Sequence, residues 1–178
     1  MKKVLVTGAN RGIGLELCRQ LAARGDEVTG VCRHSSDALR ALDVRVVEGV
    51  DVGSAESVTR LQEQLSGEHL DWLINNAGIL SVESLDNLDF EAMERQFRIN
   101  TLGPLRVTAA LLPLLSSGAC VGIITSRMGS IADNTSGGYY GYRMSKAAVN
   151  MAGMSLARDL ADRGIAVTLL QWGWLQRK

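Results

Sequence analysis

Short runs of β-branched and apolar residues alternate along the chain with longer stretches in which apolar positions recur every three or four residues. The short runs are VLVT at 4–7, EVTGVC at 27–32, VRVV at 44–47, WLI at 72–74, VGIIT at 121–125 and IAVTLL at 165–170. They are apolar on both faces, the pattern of strands covered by helices above and below. Helical periodicity falls between them at 12–24, 54–66, 89–115 and 142–163, with a weaker stretch at 36–42. Such alternation predicts an α/β fold, a Rossmann-type doubly wound parallel sheet of about six strands with helices on both faces. No repeat, low-complexity segment or linker interrupts it, and 178 residues suffice for one core rather than two, so 1–178 reads as a single domain.

Composition narrows the function. The 19 basic and 19 acidic residues cancel without any long block of one sign, which argues against nucleic acid or a charged membrane surface as partner. A small uncharged ligand or a discrete anion is expected instead. The apolar stretch AALLPLL at 109–115 is broken by Pro113 and too short to cross a bilayer, and the apolar run in MKKVLVTG ends too soon for a signal-peptide core. Cys18, Cys32 and Cys120 are odd in number and lack C-x-x-C spacing, as expected of reduced thiols in a cytoplasmic protein. His34 and His69 have no Cys or His at ligand spacing, so no metal site is expected.

Three places carry chemistry. TGANRGIG at 7–14 directly follows the first strand and opens a helix. There Gly8 permits a sharp turn, Gly12 lets backbone approach a pyrophosphate and Gly14 lets helix pack on strand, while the helix N-terminus offers unpaired N–H groups to phosphate. Asn10, Arg11 and Ile13 complete this candidate loop; the alternative is an ordinary glycine-rich turn. At the end of the second strand, where an acid would hold the ribose hydroxyls of NAD, the chain has Cys32 and Arg33. A guanidinium there, with Arg11, suits a 2′-phosphate and favours NADP(H) over NAD(H), unless both arginines are merely solvated. Finally, all three tyrosines, Tyr139, Tyr140 and Tyr142, fall within four positions, and Lys146 lies one helical turn beyond Tyr142. A nearby ammonium favours the phenolate, so the lysine is expected to tune Tyr142 as an acid or base, with Ser126 hydrogen-bonding a substrate oxygen opposite. Packing or surface roles for these three residues are the alternative.

Taken together, these residues resemble the short-chain dehydrogenase/reductase family over nearly the whole chain. The matching motifs are TGANRGIG, NNAG at 75–78, Asn100 in RINTLGP, Ser126 and the Y-x-x-x-K of Tyr142 and Lys146. The resemblance implies a dinucleotide-binding domain in which Asn100 holds a water in a proton relay to Lys146, and Lys146 also binds the nicotinamide ribose. It implies that Asp51 contacts adenine with Val52 beside it, and that Asn76, Ala77 and Gly78 line the adenosine ribose. The segment 126–151 looks closer still to the C-factor-like and sniffer-like carbonyl reductases, with Tyr139 and Tyr140 either walls of a substrate mouth or packing residues.

After the sixth strand the chain departs from that pattern. Trp172 stands where the family has proline, Gly173 is kept, and Arg177 occupies the expected threonine position, so the chain is expected to lack the usual substrate loop and last strand. IAVTLL then becomes an edge strand, covered by Trp172 and Trp174 or by a second subunit. A homodimer through the helices at 89–115 and 142–163 is expected by resemblance. The leading functional expectation is NADPH-dependent reduction of a small aldehyde or ketone. A non-catalytic nucleotide-binding signalling protein and an inactive truncated chain are the alternatives.

Overall fold

A computed structural model describes residues 1–172 of the chain. The strands are β1 (Lys3–Thr7), β2 (Glu27–Val31), β3 (Arg45–Val47), β4 (Leu70–Asn75), β5 (Leu115–Ser126) and β6 (Ala166–Trp172). All pair in parallel, in the order β3-β2-β1-β4-β5-β6. This is the doubly wound arrangement predicted from the alternation, and the strand order reverses between β1 and β4, where a crevice opens at the carboxyl ends. The helices are α1 (Gly12–Ala23), α2 (Asp37–Arg40), α3 (Ala55–Gln64), α4 (Phe90–Phe97), α5 (Gly103–Leu111) and α6 (Tyr140–Asp159).

β1 shows why the strands are apolar on both faces. Leu5 packs with Leu61, Leu73, Val107, Leu111 and Val121 on one side of the sheet, while Val4 and Val6 pack with Cys18, Leu21 and Leu39 on the other. Successive side chains of a strand point to opposite faces, so a strand between two helical layers has no wet side. Ser36, Ser54 and Asp89 each accept a backbone N–H at the start of α2, α3 and α4, fixing where those helices begin. The N-cap of α1, Arg11, makes no such bond with its side chain.

The helix expected over 89–115 is broken into α4, a π-helical turn at Arg98–Leu102, α5, and a 3₁₀ turn at Leu112–Leu114. Pro104 is the physical reason for the first break. It has no N–H for the carbonyl four residues back, that of Asn100, and its ring crowds that carbonyl, so the helix widens there. β5 is longer than the expected 121–125 because Leu115 already pairs with Leu70, before an irregular stretch containing Gly118 at φ +89°. Among the described residues β6 is the sheet edge, with Leu170 41% exposed. The expectations for Gly173, Trp174 and Arg177, and for the Trp172 side chain, lie outside the described residues.

Candidate active site

A cleft of about 1180 Å³ runs along the carboxyl ends of β1, β2, β4 and β5. Gly8, Asn10, Arg11, Gly12, Ile13, Arg33, Asp51, Val52, Asn76, Ala77, Gly78, Ser126, Tyr142 and Lys146 all line it, so residues far apart in sequence are brought to one cleft. Two expected residues do not line it: Gly14 and Asn100 are buried behind it.

The glycine loop fits a bound pyrophosphate. Gly8 has φ +67°, and a Cβ there would come 2.8 Å from the Cα of Ala77. Gly12 has φ +56° with nothing within 4 Å of an added Cβ, so backbone borders open space. A Cβ on Gly14 would collide with the Gly8 carbonyl and the Asn76 side chain, so that glycine lets α1 pack closely on the turns that follow β1 and β4. Because Arg11 does not cap α1 with its side chain, the first amides of the helix stay available to an anion. Thr7, a residue without a role in the sequence reading, ties the two edges of the crevice together. Its hydroxyl accepts the N–H groups of Asn76 (3.0 Å) and Ala77 (3.1 Å), while Asn76 Nδ2 donates to the carbonyls of Thr7 (3.0 Å) and Gly8 (3.2 Å).

At the adenosine end, Asp51 Oδ1 accepts the Gly53 N–H at 2.8 Å, and Arg106 donates to the Val52 carbonyl at 2.6 Å. This fixes the turn after β3 against α5. Arg11 and Arg33 are exposed at the cleft and pair with no carboxylate among the described residues, whereas nearby Arg40 pairs with Asp37 and Glu48. His34 joins them on the same rim.

At the other end, Ser126 closes β5 and accepts the Met128 N–H at 3.2 Å. Tyr142 and Lys146 come from the first two turns of α6, with Nζ of Lys146 5.7 Å from the Tyr142 ring centre. The following loop approaches α6 closely because Gly129 has no side chain; a Cβ there would lie 2.7 Å from the Lys146 carbonyl carbon. Lys146 is 5% exposed and donates to the Ile124 carbonyl at 2.8 Å. Burial brings its ammonium down to about 8. Burial likewise pushes the Tyr142 phenol up, with the Ser126 hydroxyl acting in the opposite direction. The sequence reading expected Lys146 to lower the phenol; in the structure desolvation outweighs any such pull.

Asn100 is a clamp. Its Oδ1 accepts the Ile79 N–H (2.8 Å), and its Nδ2 donates to the Ile79 carbonyl (2.8 Å) and Ser145 Oγ (3.0 Å). Both amide hydrogens are used, so the side chain has no donor left for a water. Ser145, which also receives Thr101 Oγ1 on its carbonyl at 2.8 Å, had no signal in the sequence beyond its place inside Y-x-x-x-K.

A doubly wound sheet with a glycine loop at its switch point, and a half-buried tyrosine beside a buried lysine at the far end of the same cleft, has the build of a nucleotide-binding α/β protein. Residues 2–176 match the family model described as short chain dehydrogenase, and the chain belongs to that family of oxidoreductases. It is 47% identical over 175 residues to 1-hydroxy-2-glutathionyl-2-methyl-3-butene dehydrogenase of Rhodococcus sp. (strain AD45), covering 97% of this chain and 77% of that protein. It is 54% identical over 110 residues to C-signal of Myxococcus xanthus, covering 60% of this chain and 66% of that protein. The matched region is therefore about two thirds to three quarters of these relatives' length. Among solved structures, NADPH-bound carbonyl reductase from chicken fatty liver aligns with a TM-score of 0.87 at 32% identity, over 98% of this chain and 80% of that one. Carbonyl reductase Sniffer of D. melanogaster aligns with a TM-score of 0.88 at 29% identity, over 98% and 81%. Among the described residues no helix is long and apolar enough to cross a membrane, and no cluster of His, Cys, Asp and Glu is arranged to hold a metal.

Proposed function

We propose that this protein reduces a small aldehyde or ketone with NADPH, using Tyr142 as the general acid. The observation that carries the reading is the placement of Ser126, Tyr142 and Lys146 at one end of a cleft whose other walls are the glycine loop and the Asp51 turn. Bound there, the dihydronicotinamide would supply the hydride. Ser126 orients the carbonyl oxygen through its hydroxyl. Burial raises the Tyr142 phenol, so at neutral pH it carries its proton and delivers it to the oxygen on which negative charge develops. Lys146, held near 8 by burial, is matched to return a proton to the phenolate, and a water held beside Asn100 would resupply it.

Arg11 and Arg33, two cations on the adenosine side that pair with no carboxylate among the described residues, support NADP(H) over NAD(H). Gly8, Asn10, Gly12 and Ile13 would hold the phosphates, Asp51 and Val52 the adenine, and Asn76 to Gly78 the adenosine ribose. We read residues 1–178 as one dinucleotide-binding domain of a cytoplasmic protein. Exposed Phe90 and Phe97 of α4, Leu102 of the π turn and Met144, Met151 and Met154 of α6 support a homodimer through these helices. A second reading, in which the nucleotide is bound without turnover, is favoured by the similarity to C-signal.

NADPH oxidation followed across a panel of aldehydes and ketones tests the proposal. Wild-type turnover that falls about 100-fold or more in Tyr142→Phe, with NADPH affinity kept, is the expected result. NADPH binding with no carbonyl reduced would overturn it in favour of the second reading.

A further inference from the structure

The loop that follows β4 contains a buried carboxylate that the proposed chemistry does not use. Glu83 is 2% exposed, and every group around its two oxygens is a donor. Oε1 accepts from Ser81 Oγ (2.5 Å) and from Gln96 Nε2 (2.8 Å); Oε2 accepts the backbone N–H of Gly141 (3.2 Å). The Glu83 main-chain carbonyl accepts the N–H of Tyr139 at 2.9 Å. The orientation of the Gln96 amide is set by its other end, where Oε1 accepts the Ser81 N–H at 3.1 Å. Gln96 is fully buried, and a Cβ on Gly141 would collide with its Nε2.

These bonds converge on the mouth of α6. The residues leading into that helix, Gly137, Gly138 and Tyr139, all have positive φ (64°, 63° and 52°), and Tyr139 is the only non-glycine residue of the described chain in that region. A tyrosine in left-handed backbone persists only where its surroundings hold it. Here the Glu83 main chain holds Tyr139, and the Glu83 side chain receives Gly141, the residue immediately before Tyr142. The first turn of α6 has no acidic residue of its own and no side-chain cap from its N-cap residue. Glu83 supplies both from a distant loop.

We propose that Glu83 is a positioning residue that sets the start of α6, and with it the Tyr142 phenol, relative to Ser126. This inference rests on the reading of Tyr142 as the proton donor, but its structural half stands apart from activity. The donor set also specifies a substitution that cannot be accommodated alone. In Glu83→Gln the new amide must place its NH₂ against either the Gly141 N–H or the Gln96 NH₂, and Gln96 cannot turn over without losing the Ser81 N–H. Exchanging the two residues, Glu83→Gln with Gln96→Glu, restores a partner for each group. The amide introduced at position 83 would accept from Gly141 and donate to the carboxylate introduced at position 96, whose second oxygen would accept the Ser81 N–H.

The test compares wild type, Glu83→Gln and the Glu83→Gln/Gln96→Glu exchange well below their melting temperatures. Carbonyl reduction, NADPH Kd and amide hydrogen exchange across residues 139–146 are read together. In Glu83→Gln, kcat should fall at least tenfold while NADPH Kd stays within twofold, because the glycine loop and Asp51 turn are untouched. Exchange over 139–146 should quicken at least tenfold in the same variant, and the double exchange should recover most of both losses. A merely structural role would lower the melting temperature while leaving kcat of the folded protein and the segment's exchange unchanged. Unchanged exchange over 139–146, or losses that the double exchange fails to restore, overturns the inference. A wild type that reduces no carbonyl overturns the proposed function instead, and the exchange measurement still decides the role of Glu83.

Discussion

Replacing Lys146 with methionine should stabilise the protein. The unfolded chain holds the lysine proton up to about pH 10.5, whereas the folded chain holds it only up to about 8. Between those values the unfolded state binds more protons, so stability rises with pH; below 8 the full penalty of the buried ammonium is present. A gap of that size corresponds to about 3 kcal/mol at pH 7. At 5% exposure the residue is shielded from solvent, so little of this is lost to screening. Methionine keeps the stem packed and removes the charge, but gives up the bond to the Ile124 carbonyl, worth about 1 kcal/mol. The net gain of about 2 kcal/mol would raise Tm by roughly 4–8 °C in a chain of this length. Denaturant unfolding of wild type and Lys146→Met from pH 7 to 11 measures it. Cys18, lifted by burial to about 11, and Tyr142 titrate in the same range with the opposite sign, but both proteins carry them, so the difference isolates Lys146. The advantage of the variant should shrink steadily between pH 8 and 10.5. A variant less stable at pH 7, or a difference independent of pH, would refute the claim that this ammonium is held at a cost.

Other outcomes follow from the cleft. Gly8→Ala combines left-handed backbone with a 2.8 Å contact to Ala77, so it should cost about 2 kcal/mol or more in urea unfolding. Gly12→Ala meets no atom within 4 Å; its cost should be only about 1 kcal/mol, with the larger loss in NADPH affinity by fluorescence titration. Arg33→Ala should raise the Kd for NADPH by about 10-fold or more and leave that for NADH nearly unchanged, as loss of one charge-assisted bond to a 2′-phosphate requires. Tyr139→Gly relieves left-handed strain at φ 52° while adding chain entropy to the unfolded state, so urea unfolding should show a change below about 1 kcal/mol.

How much of this was legible beforehand depended on the range over which each feature is encoded. The strands could be read because helices on both sides demand apolar residues at every position, as Val4, Leu5 and Val6 show. The cleft residues could be read because the glycine loop and the Tyr142–Lys146 spacing are local patterns with local physical causes. The break in the helix at 98–102 was marked by Pro104, but whether a proline starts a helix, kinks it or widens it into a π turn is settled by what packs around it. Glu83 and Gln96 were invisible for a different reason. A buried carboxylate surrounded by donors from three segments is defined by tertiary contact, and in the sequence Glu83 is one of several acids in the loop after β4. The balance of forces on Tyr142 was also beyond a spacing argument, since proximity of a lysine says nothing about how far both groups are desolvated.

The most direct test of Tyr142-dependent carbonyl reduction is the fate of the hydride. The protein would be incubated with NADPH carrying deuterium at the transferable position of the nicotinamide C4 and an aromatic aldehyde, and the alcohol analysed by mass spectrometry. One deuterium on the carbinol carbon, formed by wild type and not by Tyr142→Phe, is the predicted result. Alcohol without the label, or equal yields from the two proteins, would contradict it.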